Sequence, residues 1–298
     1  MPPRNLLLCF DAFGTLFKPR LPITQQYGDV ARSYGLGDFT NEEIGKAFKT
    51  AFKEESHKNP NYGKGKNGLC PEIWWMNVIN NTFRPIIKQQ QQQQQQQRSL
   101  PNGMVRTLMH RFWCGEGYTL FSDVQPLISK LRRADDAKVV IGVITNSDDR
   151  VPDILASLGL RVSPVRYGSS RSSLTKGEND IDFSVMSYDV GHEKPDKRIF
   201  QAAEEVLGGL VKAESNGATH DPKQWRKVYV GDEFDKDITG SLDAGWNAVL
   251  IDRETPGQRK DLMWLDEEPV GSLYEVFNTA KAVGFSSLEK LAQWLPSP

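Results

Sequence analysis

Three aspartates, a lysine and a threonine in four short segments carry the chemistry open to this 298-residue chain. Asp11 follows the apolar run Leu6-Leu7-Leu8-Cys9-Phe10 and precedes Ala12-Phe13-Gly14-Thr15-Leu16. Thr145 and Asn146 end the run that begins at Val139, and Lys194 stands in Gly191-His192-Glu193-Lys194-Pro195-Asp196. Asp232 and Asp237, five positions apart, follow Val228-Tyr229-Val230-Gly231. A carboxylate at a strand end can attack phosphorus or an alkyl carbon and form a covalent aspartyl intermediate. A hydroxyl and backbone N–H groups at Thr145 and Asn146 can hold a phosphate oxygen. An ammonium at Lys194 can offset the charges of Asp11 and a phosphoryl group. Asp232 and Asp237, across a strand-to-helix turn, can face one hard cation such as magnesium. Each segment alone also has a plainer reading: a turn aspartate, a strand-end threonine, a surface lysine, an acidic loop. Asp235 fits a helix cap, and His192 fits a solvated loop residue.

Buried parallel strands must position these groups, because such strands read as near-continuous apolar runs with their chemistry at the carboxyl end. The sequence predicts strands at 6–10, 139–145, 183–187, 227–231 and 247–251. Helical patterns separate them. Pro126 to Arg133 precedes the second strand, and Arg150 to Leu158 follows it, with Asp148 or Asp149 as cap. Asp196 caps a segment with Ile199, Phe200, Ala203, Val206 and Leu207 on one face. Alternating strands and helices predict an α/β fold with a doubly wound parallel sheet.

Residues 18–118 are too many for a simple crossover and are mostly helix-like, with Phe48, Phe52, Trp74, Trp75, Phe83, Phe112 and Trp113 as core anchors. They predict an inserted helical cap over the sheet's carboxyl edge that excludes water. The core then comprises 1–17 and 119–298. Gln89 to Gln97 is an uninterrupted glutamine tract without apolar periodicity. It is expected to be a flexible loop between cap helices Pro71 to Phe83 and Leu100 to Phe112. Gly168 to Asp180 and Ala213 to Pro222 read as surface loops.

A net charge of -1 gives no reason to expect nucleic acid or an anionic membrane as partner. Three cysteines, Cys9, Cys70 and Cys114, argue against a disulfide framework and fit a reducing compartment. The first apolar run is too short for a secretory signal or a membrane span. A soluble intracellular protein, cytoplasmic or nuclear, is the expectation.

Taken in order, Asp-x-x-Gly-Thr-Leu, strand-Thr-Asn, Lys-Pro-Asp-x-x-Ile-Phe and Gly-Asp-x-x-x-x-Asp resemble the haloacid dehalogenase superfamily over nearly the whole chain. Pro60-Asn61-Tyr62-Gly63 followed by Trp74-Trp75 is similar to the eukaryotic group of haloacid dehalogenase-like hydrolase domain-containing protein 3. The resemblance implies Asp11 as nucleophile and magnesium ligand, with the Phe13 backbone carbonyl as a second ligand. It implies Thr145 as phosphoryl-binding and Lys194 as the neutralising cation. Asp232 becomes a magnesium ligand, and Asp237 a ligand or the orienter of a metal-bound water. The substrate it implies is a small phosphorylated metabolite.

One position departs from the phosphatase pattern. Phe13 stands where those enzymes carry an aspartate that protonates the leaving group, and such help is worth roughly 10²–10⁴ in rate. Asp11-Ala12-Phe13-Gly14-Thr15-Leu16-Phe17 looks closer to the 2-haloacid dehalogenases, which expel halide, use no magnesium and lack the Gly-Asp-x-x-x-x-Asp pair. Three readings stay open. The first is a weakened Mg²⁺-dependent phosphohydrolase. The second is a dehalogenase-like hydrolase with Arg20 in its anion pocket. The third is a non-catalytic binder of a phosphorylated ligand or protein.

Overall fold

The computed structural model describes residues 5–94, 99–134, 138–169, 179–214 and 225–296. The last residues of the glutamine tract, 95–97, and most of the loops expected at 168–180 and 213–222 lie outside them. The strands are β1 (Asn5–Phe10), β2 (Phe17–Pro19), β3 (Tyr118–Leu120), β4 (Lys138–Thr145), β5 (Phe183–Met186), β6 (Arg226–Gly231), β7 (Asn247–Ile251), β8 (Met263–Trp264) and β9 (Ala282–Phe285). The helices are α1 (Ile23–Ser33), α2 (Asn41–Lys58), α3 (Pro60–Gly63), α4 (Pro71–Gln94), α5 (Met104–Arg111) and α6 (Val124–Arg132). They continue as α7 (Val151–Ser157), α8 (Ser187–Val190), α9 (Lys197–Glu214), α10 (Thr239–Asp243), α11 (Leu273–Val276) and α12 (Leu288–Gln293).

The chain divides into two compact units: 1–18, 120–147 and 159–298, and 19–119 with 148–158. The first is built on a seven-stranded sheet in the order β5-β4-β1-β6-β7-β9-β8. Its strand pairs are all parallel, as the predicted α/β architecture requires. β1 lies inside the sheet, third of the seven strands, and Leu6 to Phe10 are buried on both faces. Burial of each such side chain stabilises by about 1.5–3 kcal/mol. The apolar stripe of α9, from Ile199 to Val211, packs with Leu7, Cys9 and Tyr229 in one core cluster. Asp196 caps this helix as expected, accepting from the Arg198 backbone N–H at 3.0 Å. β1 is flanked by β4 and β6, so the strand order reverses direction there. A crevice at the carboxyl ends of these strands is where such sheets bind ligands.

The second unit is helical. α2 opens on a capping box, in which Thr40 accepts from the Glu43 N–H and Glu43 reaches back to Thr40. Trp74, Phe83 and Phe112 are buried as anchors, while Phe52 is 37% exposed. Two expectations fail here. Gln89–Gln94 continue α4 rather than forming a loop, and α4 also runs through Pro85. Glutamine is a good helix former, and the helix already nucleated at Pro71 propagates through it at no nucleation cost.

Residues 148–158 group with the helical unit and not with the sheet. Asp148 does not cap α7: its Oδ1 accepts from the Arg150 backbone N–H and from Nε at 3.1 and 2.7 Å. The other carboxylate oxygen accepts from Trp75 Nε1 at 2.7 Å, and the Arg150 guanidinium lies 4.2 Å from the Trp75 ring centroid. This buried ion pair fastens the start of α7 to α4. Arg20, the expected anion-pocket residue, donates to the Gly115 carbonyl at 3.1 Å.

Candidate active site

Strand register sets the site. Phe10 pairs with Val143 and with Val230, so Asp11, Thr145 and Asp232 emerge at nearly one level from three adjacent strands. The Asp11 N–H donates to the Val230 carbonyl at 2.8 Å. Thr145 closes β4 and is buried. Asn146 clasps the lysine loop: its Nδ2 donates to the Lys194 carbonyl at 2.9 Å and its Oδ1 accepts from the Lys194 N–H at 2.6 Å. Two backbone-directed bonds from one amide thus fix Lys194 against β4.

Lys194 is 4% exposed, and its ammonium has three donors. It lies 2.8 Å from Asp11 Oδ1 and 2.7 Å from Asp237 Oδ1, and it donates to Tyr229 Oη at 2.8 Å. The Tyr229 hydroxyl in turn donates to the Ile144 carbonyl at 2.6 Å. Burial pulls the lysine pKa down, but the charges of Asp11 and Asp237 outweigh it and hold the group above its ordinary value. Burial raises the Asp11 pKa, opposed mainly by Lys194.

Asp11, Asp232 and Asp237 bring carboxylate oxygens within 4.8 Å of one another. Thr15 Oγ1 donates to Asp232 Oδ1 at 2.8 Å, and the Glu233 N–H donates to Asp237 Oδ2 at 2.9 Å. Burial pushes the Asp232 carboxyl up to about 7; the Thr15 hydroxyl opposes this, and the charges of Asp11 and Asp237 add to it. Three carboxylates against one ammonium leave two negative charges uncompensated when all are ionised. Hard oxygen donors with that residual charge fit a divalent cation of the magnesium class. Asp235 does not cap a helix, since it lies within a π-type turn, Phe234–Ile238, that carries Asp237 back towards Lys194.

Two glycines make room for the cluster. A Cβ on Gly14, whose φ is +80°, would lie 2.1 Å from Asp232 Oδ2, and one on Gly231 would lie 2.2 Å from Asp237 Oδ2. Gly14→Ala is therefore expected to displace Asp232 and to cost about 1–3 kcal/mol through the left-handed backbone alone. Urea unfolding with and without Mg²⁺ checks this. The stabilisation by Mg²⁺ should shrink in the variant, and an unchanged increment would place the cation elsewhere.

Phe13 is held by its ring, which meets Phe17 edge-on at 4.6 Å between centroids. His192 stays peripheral, 4.0 Å from Asp196. Three further groups support the site without a motif that assigns them a role. Tyr229 was detectable as a polar-tipped aromatic within a buried strand, which needs a partner for its hydroxyl. Thr15 lay within the nucleophile motif. Arg253 clamps Asp123 through two bonds of 2.8 and 3.0 Å and reaches the Thr15 carbonyl at 3.4 Å; no sequence signal marks it.

Residues 6–245 match the family model described as haloacid dehalogenase-like hydrolase. An uncharacterized hydrolase of Schizosaccharomyces pombe is 31% identical over 261 residues, covering 86% of this chain and 96% of that protein. Haloacid dehalogenase-like hydrolase domain-containing protein 3 of Danio rerio is 29% identical, covering 90% and 93%. Among solved structures, a defluorinating L-2-haloacid dehalogenase superposes with a TM-score of 0.57 at 15% identity, covering 96% of this chain and 93% of that one, which shows a shared fold. Among the described residues no helix is long and apolar enough to cross a membrane. On the extent of the family match, the chain belongs to the haloacid dehalogenase-like hydrolases.

Proposed function

We propose that this hydrolase is a Mg²⁺-dependent phosphohydrolase acting on a small phosphorylated metabolite through Asp11. The observation that carries the reading is the buried cluster of Asp11, Lys194, Asp232 and Asp237. Asp11, Asp232, Asp237 and the Phe13 carbonyl would hold Mg²⁺, which supplies charge stabilisation at the phosphoryl oxygens when bound.

The chain's own residues do the rest. An Asp11 carboxylate oxygen attacks phosphorus, forming an acyl phosphate as the bond to the leaving oxygen breaks. Lys194 keeps Asp11 ionised and aimed, with its other donors committed to Asp237 and Tyr229. Thr145 and Asn146 would bind phosphoryl oxygens. Water then attacks the acyl phosphate, releasing inorganic phosphate and restoring Asp11. The helical unit would act as a cap that selects substrate. The chain enters it soon after Asp11 and again directly after Thr145-Asn146-Ser147.

Phe13 cannot donate a proton, so the leaving oxygen must depart as an anion or take its proton from solvent. Aryl and acyl phosphates should therefore turn over faster than alkyl phosphates. Hydrolysis of para-nitrophenyl phosphate should vanish in chelator and return with Mg²⁺; chelator-resistant hydrolysis would sink the metal-dependent reading. Phe13→Asp is expected to raise alkyl-phosphate turnover at least about tenfold, within the 10²–10⁴ ceiling of acid–base help. A folded variant with no gain would show that this position does not limit the chemistry. Phe13 also favours a second reading, binding of a phosphorylated ligand without turnover. Tight binding of a phosphate mimic by a protein inert towards a broad substrate panel would select it. The carboxylate cluster runs against dehalogenation, so no halide release from 2-chloropropionate is expected.

A further inference from the structure

We infer that His110, Cys114 and Glu116 form a surface site in the helical unit for one zinc-class divalent cation, separate from the Asp11 cluster. One ligand atom from each, an imidazole nitrogen, a thiol sulfur and a carboxylate oxygen, lies within 4.8 Å of the other two. His110 Nδ1 and Glu116 Oε1 are 3.8 Å apart, on side chains 69% and 58% exposed. Around a tetrahedral Zn²⁺ the ligand atoms stand about 3.3–3.6 Å from one another, given metal–ligand distances near 2.0–2.3 Å. The side chains must therefore close by a fraction of an ångström to about 1.5 Å at most. Exposed rotamers can do that without moving the backbone.

The backbone between the ligands is already fixed. His110 is in the last turn of α5, and the chain after it folds back tightly, with Trp113 N–H donating to the His110 carbonyl at 3.0 Å and Gly117 N–H to the Cys114 carbonyl at 3.3 Å. The Gly115 N–H donates to Ser157 Oγ at 2.7 Å. The Gly117 carbonyl accepts from the Arg20 N–H at 2.9 Å and from Gln26 Nε2 at 3.0 Å. The Cys114 thiol donates to the His110 carbonyl at 3.3 Å, a bond that metal binding would replace, so the sulfur sits against the carbonyl end of α5. That end carries partial negative charge and favours a cation. A nitrogen–sulfur–oxygen set suits Zn²⁺ over Mg²⁺, which prefers oxygen alone. Binding exchanges the Cys114 thiol proton for the metal, and the proton goes to solvent. Water would complete the fourth position.

Co²⁺ is the probe, because a cobalt–thiolate bond absorbs in the near ultraviolet and carboxylate-bound Co²⁺ does not. Metal-free full-length protein is titrated with Co²⁺ in excess Mg²⁺. One equivalent should produce the thiolate band, and Zn²⁺ should bleach it. Cys114→Ser should abolish the band while Cys70→Ser keeps it. His110→Ala and Glu116→Gln should each weaken Co²⁺ binding about tenfold or more, as loss of one of three ligands requires. A missing band, a band surviving in Cys114→Ser, or unchanged affinity in both other variants would overturn the site.

Discussion

Asparagine at position 11 should leave the protein folded and cut hydrolysis of para-nitrophenyl phosphate by more than about 10³-fold, the scale on which removal of a nucleophile acts. The fold survives because Lys194 keeps Asp237 at 2.7 Å and Tyr229 at 2.8 Å. The amide also fills the volume of the carboxylate. Chemistry is lost because an amide oxygen is too weak a nucleophile towards phosphorus. Steady-state rates with circular dichroism on the same samples check both halves. A folded Asp11→Asn protein as fast as the wild type would place the nucleophile elsewhere.

Lys194→Met is the corresponding stability experiment. It removes the one ammonium inside a cluster of three carboxylates and leaves Asp11 and Asp237, 6% and 0% exposed, without a cation. Breaking a buried pair in this way costs about 3–5 kcal/mol. In chelator the urea midpoint should fall accordingly. Mg²⁺ should restore more stability to the variant than to the wild type, because it answers a larger excess of negative charge. A loss below about 1 kcal/mol in chelator would mean that the carboxylates are neutral, or apart, in solution.

Much of this site can be read along the chain, and the reason is local. Leu6 to Phe10 are uniformly apolar, as a strand buried on both faces is, and Asp11 ends that run. The same logic places Thr145 and Asp232, and helical periodicity places the α9 stripe behind Lys194. What the sequence hides is set by tertiary partners. Asp148 looks like a helix cap, yet Arg150 and Trp75 claim both of its oxygens and draw 148–158 into the helical unit. Nothing near Tyr229 announces that its hydroxyl links Lys194 to β4, because those groups lie 35 and 85 positions away. The glutamine tract misleads for another reason. It has no periodicity to read, but a residue with fair helix propensity needs none when a helix already leads into it.

Transfer of a phosphoryl group onto Asp11 can be observed directly. Full-length protein turning over para-nitrophenyl phosphate with Mg²⁺ is quenched and reduced with borohydride, which converts an aspartyl phosphate to homoserine, and the peptides are mapped by mass spectrometry. Homoserine at position 11, dependent on both substrate and Mg²⁺, is the expected result. Turnover with position 11 unmodified, or with the mark on another residue, would contradict it.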